Sequence, residues 1–163
     1  MRLFLFSKWI SRQGDAPAPV IEYLGAQDVE RAAGSVVAAL GLGYIDLSRI
    51  RFVRSRGSKS RFTTARIHGL SRLWRSIVGT QVTYVIEVLS EHYDHLSQEE
   101  REKTIIHELL HVPKAFGGGL LPHRGYVTRQ QVDKLHGAYR RATAETLIPG
   151  WQEGHSAAVP RGE

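Results

Sequence analysis

Residues 97–113 constrain this chain more than any other stretch. Ser97-Gln98-Glu99-Glu100 has capping-box spacing, with Ser97 as N-cap and Glu100 three positions on. Ile105, Ile106, Leu109, Leu110 and Val112 supply apolar anchors at helical spacing. Glu99 and Lys103 form an acid-to-base pair four apart. Pro113 ends the run, because its ring clashes with the carbonyl of Leu109 and disfavours helical geometry at Val112. The pattern predicts a helix over 98–112. His107, Glu108 and His111 sit inside it among residues that seek burial. Any fold that buries this helix must also satisfy those three polar groups.

Residues four apart share one helix face. His107 and His111 can therefore offer two imidazoles to one metal ion, with Glu108 in reach of a metal-bound water. Two histidines and a carboxylate base at this spacing are the core of a zinc hydrolase. The competing reading, a solvated polar face, fits poorly with the surrounding leucines and isoleucines. The helix stops just past His111, so a third ligand must arrive from another segment. Gly117, Gly118 and Gly119 permit a sharp reversal, and His123 follows. We take His123 as the third ligand, with water in an open fourth position. His136, Asp133 or a more distant carboxylate are the alternatives, since zinc also accepts oxygen.

A length of 163 residues suits one domain with a real core. The absence of cysteine excludes a disulfide framework and any Cys-type zinc site. The formal charge is +6. Between Arg49 and Arg75 there are many Arg and Lys residues and no Asp or Glu. Such a segment reads either as an electropositive patch for nucleic acid or as a solvated face whose long side chains cover a sheet. The start, Met1 to Ile10, is apolar but broken by Lys8 and lacks a small-residue cleavage site. It does not read as a secretory signal. No segment approaches the roughly 20 apolar residues of a membrane span. A cytoplasmic location is expected, with an amphipathic, membrane-touching N-terminus as the minor alternative.

The chain divides into an N-terminal tail and linker over 1–20, a domain over 21–148 and a mobile tail over 149–163. Residues 28–40 predict an amphipathic helix capped by Asp28 and ended by Gly41 and Gly43. Strands are expected over 49–55, 63–68 and, most clearly, 82–89. Residues 71–78 predict a short helix capped by Ser71, and a last helix starts near Thr128. This order implies an α+β domain: a small twisted mixed sheet packed on the motif helix and its flanking helices.

Several blocks carry a resemblance. They are Arg54 to Ser60, Ala65 to Leu70, Tyr84 to Val88, His107 to Pro113 and Gly118 to His123. Together they resemble a metallopeptidase family of archaea and phages within the wider zincin group. The similarity covers residues 44–125, and its last two blocks are the most specific. It implies a minimal zincin-like fold, a zinc ion on His107, His111 and His123, and Glu108 as catalytic base. The family is named largely by motif, so it implies a reaction class more than a biological role. Other zincin patterns fit less well. Metzincin spacing would place a ligand at Gly117, and the last helix offers no evident zinc-binding glutamate.

The implied reaction is peptide-bond hydrolysis in a peptide or protein substrate. Tyr126, Arg124 and His136 are candidate donors to the oxyanion. Strand 82–89 is either the edge that holds an extended substrate or a central core strand. Glu87 either orients a ligand histidine or faces solvent. His68, His92, His95 and His155 lack ligand spacing. The alternative function is a nucleic-acid-binding or protein-interaction module with a structural or degenerate zinc site, which a closed four-ligand set would support.

Overall fold

A computed structural model describes residues 21–146. The expectations for 1–20 and 149–163 lie outside the described residues. Four strands form one sheet: β1 (Glu22–Gly25), β2 (Ile50–Arg56), β3 (Ala65–Gly69) and β4 (Tyr84–Leu89), in the order β1-β2-β4-β3. β1 runs antiparallel to β2, β2 parallel to β4, and β3 antiparallel to β4. The sheet is mixed, as the element order implied. Strand 82–89 is central, so the edge beside the motif helix is β3. β1 had no sequence signal, because it is exposed along its whole length and shows no alternation.

The helices are α1 (Gln27–Ala39), α2 (Arg72–Val78), α3 (Ser90–Tyr93), α4 (Gln98–Leu110), α5 (His123–Tyr126) and α6 (Arg129–Thr146). The apolar face of α1 packs on α4 and β2, and α6 packs on α1 and α4. Ile50, Phe52, Tyr84, Ile86 and Val88 point from the sheet into this layer. They meet Val29, Ala33 and Val36 of α1, Ile105, Ile106 and Leu109 of α4, and Val132 and Tyr139 of α6. Burying Ile105, Ile106 and Leu109 contributes roughly 2 kcal/mol each. That offsets the cost of drawing the polar groups of the same helix inside.

The caps follow the sequence with one correction. Ser97 and Glu100 form the full capping box, and the Ser71 hydroxyl accepts from the Trp74 amide. Asp28, however, is not the cap of α1. It lies in the first turn, and its carboxylate takes a 2.8 Å bond from Arg54 of β2. Burial raises the pKa of Asp28, but the bond to Arg54 and its charge outweigh this and hold it below the ordinary value. The helix begins before Asp28, at Gln27 with Ala26 in the cap position, so Asp28 serves instead to join α1 to β2.

The basic stretch is likewise drawn into the fold. Arg54 pairs with Asp28 and Asp94, and Arg66 with Glu87. Arg49 bonds Thr83 and lies over the Phe116 ring, while Arg75 bonds Thr83 and the Gly117 carbonyl. Glu87 alternates with Ile86 and Val88, so it lies on the face away from the helices. It is 3 % exposed and binds Arg66 and His68, each at 2.9 Å. It neither orients a metal-site histidine nor faces solvent. Burial raises its pKa, but the neighbouring Ser55 hydroxyl, the bond from His68 and the Arg66 charge leave it below the usual glutamate value.

Candidate metal centre and active-site cleft

α4 carries His107 and Glu108 in its last turn, and His111 is its C-cap with helical backbone angles. The His111 amide donates to the Glu108 carbonyl and the Val112 amide to that of Leu109. The helix therefore stays wound through the second histidine before Pro113 ends it. The chain then returns through a loop held at three points. The Leu121 amide donates to the His111 carbonyl at 2.8 Å, and His111 Nδ1 donates to the Leu121 carbonyl at 2.6 Å. The Gly118 amide donates to Tyr84 Oη, which donates in turn to the Gly119 carbonyl. Gly118 has φ +94 and packs against the Leu70 carbonyl, while its own carbonyl packs where a Gly69 side chain would stand. Only glycine fits at both positions. Phe116 completes the loop in the left-handed region, at φ 46, with its ring edge-on to Tyr84.

This loop delivers His123 to the helix. Its Nε2 lies 3.1 Å from His107 Nε2, which lies 3.3 Å from His111 Nε2. All three donor atoms lie within 4.8 Å of one another. Tetrahedral zinc with bonds of about 2.0–2.1 Å would set ligand nitrogens roughly 3.4 Å apart, so the spacing fits. The proton count points the same way. His111 Nδ1 holds its proton toward a carbonyl, so its neutral Nε2 is a lone pair aimed at His107. His107 Nε2 thus faces this lone pair and the Nε2 of His123 as well, with at most one proton to give. A cation removes that conflict. Burial, then the charges His111 and His123 would carry, push the His107 pKa down to about 4. The imidazole is thus neutral and able to bind a metal at ordinary pH.

Glu108 lines the same cavity, of about 250 Å³, with the three histidines, Ala65, Ile67 and Leu120. Burial pushes its pKa up to about 7, opposed by the Ile67 amide. A second, larger cleft of about 990 Å³ opens from His107, Glu108 and His123 along α4 toward Ser97. Phe62 to Ala65 form one wall and Val127 to Asp133 the other. The β3 edge faces this space. Leu70 donates to the Thr83 carbonyl and Leu89 to that of Thr64, so the even-numbered residues of β3 bond inward to β4. Ala65, Ile67 and Gly69 turn their backbone groups outward. Gly118 covers Gly69, which leaves Ala65 and Ile67 at the cleft.

The alternative ligands are engaged elsewhere. His136 Nε2 bonds the buried Glu102 carboxylate at 2.8 Å, tying α6 to α4. Asp133 pairs with Lys103, which also holds Glu99. Tyr126 and Arg124 lie in the turn after His123 and line neither cleft. His136 does not line them either. Phe62, Thr63 and Thr64 also line the cleft, a role with no sequence signal: the strand expected over 63–68 begins only at Ala65, and the residues before it are loop.

Fold and site together define an α+β domain with a histidine triad suited to a metal ion beside a buried carboxylate. The chain belongs to a phage metallopeptidase family: the family model described as "Putative phage metallopeptidase" matches residues 21–154. No curated protein and no solved structure matches the chain. Among the described residues, no helix is long and apolar enough to cross a membrane.

Proposed function

We propose that this chain is a zinc-dependent metallopeptidase of the zincin type, with His107, His111 and His123 as ligands and Glu108 as general base. The observation that carries this reading is the convergence of three imidazole nitrogens beside a carboxylate that is 6 % exposed. Three nitrogen donors are a histidine set that suits zinc, and three ligands leave a position for water. When bound, zinc supplies Lewis acidity toward water and the scissile carbonyl. The chain's own residues do the rest. The outward backbone groups of Ala65 and the outward carbonyl of Ile67 hold an extended peptide by strand pairing, while the Ile67 amide is turned to Glu108. Glu108 takes a proton from the attacking water and later gives it to the leaving amine. A cation at the histidines favours its ionised form, and its burial keeps it a better base than an exposed glutamate. His111 is kept in the right tautomer by the Leu121 carbonyl.

A closed structural zinc site would need a fourth ligand. Among the described residues the cluster has three members. The test is Glu108→Gln, assayed on an unfolded-protein or peptide library with chelator-treated enzyme as blank. Hydrolysis should fall by roughly 10²–10⁴-fold, the usual range for a lost general base. Zinc content should stay near one per chain. Activity that survives the substitution would sink the mechanism, and loss of zinc would make Glu108 a ligand.

A further inference from the structure

α2 is fixed to the fold by the side that is not apolar. Ser71 caps it, Gly79 ends it in the left-handed region, and Arg75 ties it to Thr83 and to the Gly117 carbonyl. Its large apolar side chains face out. Leu73 is 68 % exposed, Trp74 62 %, Ile77 64 % and Val78 60 %. These four lie within two turns and make one contiguous patch of roughly 500 Å², near the upper end of what a monomer leaves to water. Isolated exposed leucines need no explanation, but a whole helix face does.

The surroundings of the patch carry one sign of charge. No Asp or Glu lies between Asp46 and Glu87, nor between Glu108 and Asp133. The segments that meet at α2 come from these two stretches, as the Arg75 bond to Gly117 and the packing of Gly118 on Leu70 show. Arg72, on the helix itself, is exposed and has no ion-pair partner among the described residues, and the second stretch carries Lys114 and Arg124, likewise exposed and unpaired there. An apolar face with a tryptophan and an acid-free cationic surround fits a surface that is oily beneath and anionic above. Tryptophan suits the boundary between the two, and arginine can keep its head at the phosphates while its stem packs on apolar groups. A nucleic acid would use the cations but leave the aliphatic side chains unmatched.

We propose that the α2 face docks the protein on an anionic lipid surface, with Leu73, Trp74, Ile77 and Val78 entering the interface and Arg72 among the headgroups. Leu120, 43 % exposed, follows the loop bonded to Arg75 and also lines the cavity of the three histidines. Docking would set the mouth of that cavity beside the membrane. The docking itself does not depend on the peptidase reading.

The test is cosedimentation of the full chain with phosphatidylcholine vesicles, with and without an equal part of phosphatidylserine. Binding should require the anionic lipid and weaken with salt. Trp74→Ser with Ile77→Ser should lower the affinity at least roughly tenfold, since binding scales with buried apolar area. Both residues are exposed, so the melting temperature should hold. Arg72→Glu should weaken binding to a smaller extent. In Trp9→Phe/Trp151→Phe protein, Trp74 is the sole tryptophan, and its emission should shift to the blue and be quenched by brominated lipid. Three results would overturn the proposal. One is no binding to the anionic vesicles. Another is unchanged binding by the Trp74/Ile77 double variant, which would place the contact elsewhere in the chain. The third is self-association of the protein, abolished by that variant, with no vesicle binding.

Discussion

Gly118→Ala tests how His123, the proposed third ligand, is brought to the helix. At φ +94 a side chain is strained, by about 1–2 kcal/mol for left-handed backbone. The new Cβ would also run into the Leu70 carbonyl, a backbone atom anchored where β3 ends, so the neighbour cannot swing away. If the loop moves instead, the bond from the Gly118 amide to the buried Tyr84 hydroxyl is lost, at about 1 kcal/mol. The total is roughly 2–3 kcal/mol, or about thirty- to a hundredfold in an equilibrium constant. The loop is held by few bonds and the core by many, so the loop should yield and draw His123 off the helix. Zinc affinity, read by competition with a colorimetric chelator, should fall roughly tenfold to a hundredfold. The metal-free protein should melt close to wild type. Gly117→Ala is the control, because nothing lies within 4 Å of the place its Cβ would take and its φ is ordinary. Unchanged zinc affinity in Gly118→Ala, or an equal loss in Gly117→Ala, would refute the reasoning.

His123→Ala should weaken zinc binding strongly, whereas His136→Ala should leave it intact and cost about 1–2 kcal/mol of folding stability by removing one partner of the buried Glu102, which keeps Gln98 and Arg140; the reverse pattern in metal titration and denaturant melts would exchange their roles. Glu87 has a folded pKa below its unfolded value, so its pairing stabilises the protein above pH 4.5 and is lost as pH falls through the folded value. Glu87→Gln should flatten the acid limb of stability against pH, and an unchanged limb would show that other carboxylates carry it. For the basic stretch, Arg56 and Lys59 are the informative charges, since Arg54 is held by Asp28 and Asp94. Reversing both should reduce the salt slope of any nucleic-acid binding, and no binding at low salt leaves only their solvated role.

What the sequence determined by itself was local. Ser97, Glu100 and Pro113 set the bounds of α4, and helical spacing put His107 and His111 on one face with Glu108 between them. Ser71 and the alternation of β2 were legible for the same reason: caps and periodicity are decided within one or two turns. His123 could be nominated from its position after the glycines. Its arrival at 3.1 Å from His107 depends on Tyr84, Gly69 and Leu70, which are distant in sequence and meet only through the sheet. The central place of β4 depends on pairing with both β2 and β3, and strand composition does not choose partners. The fates of the charges were equally non-local. Asp28 joined α1 to Arg54 of β2, Glu87 was enclosed by Arg66 and His68, and His136 was taken by Glu102. Each is a contact between segments, where a carboxylate settles on whichever hydrogen-bonding partner the fold brings within reach. The outward face of α2 is the converse case. Its apolar spacing is that of a buried helix, but Arg75 reaches Thr83 and Gly117 from the other side, and that anchoring turned Leu73, Trp74, Ile77 and Val78 to the outside.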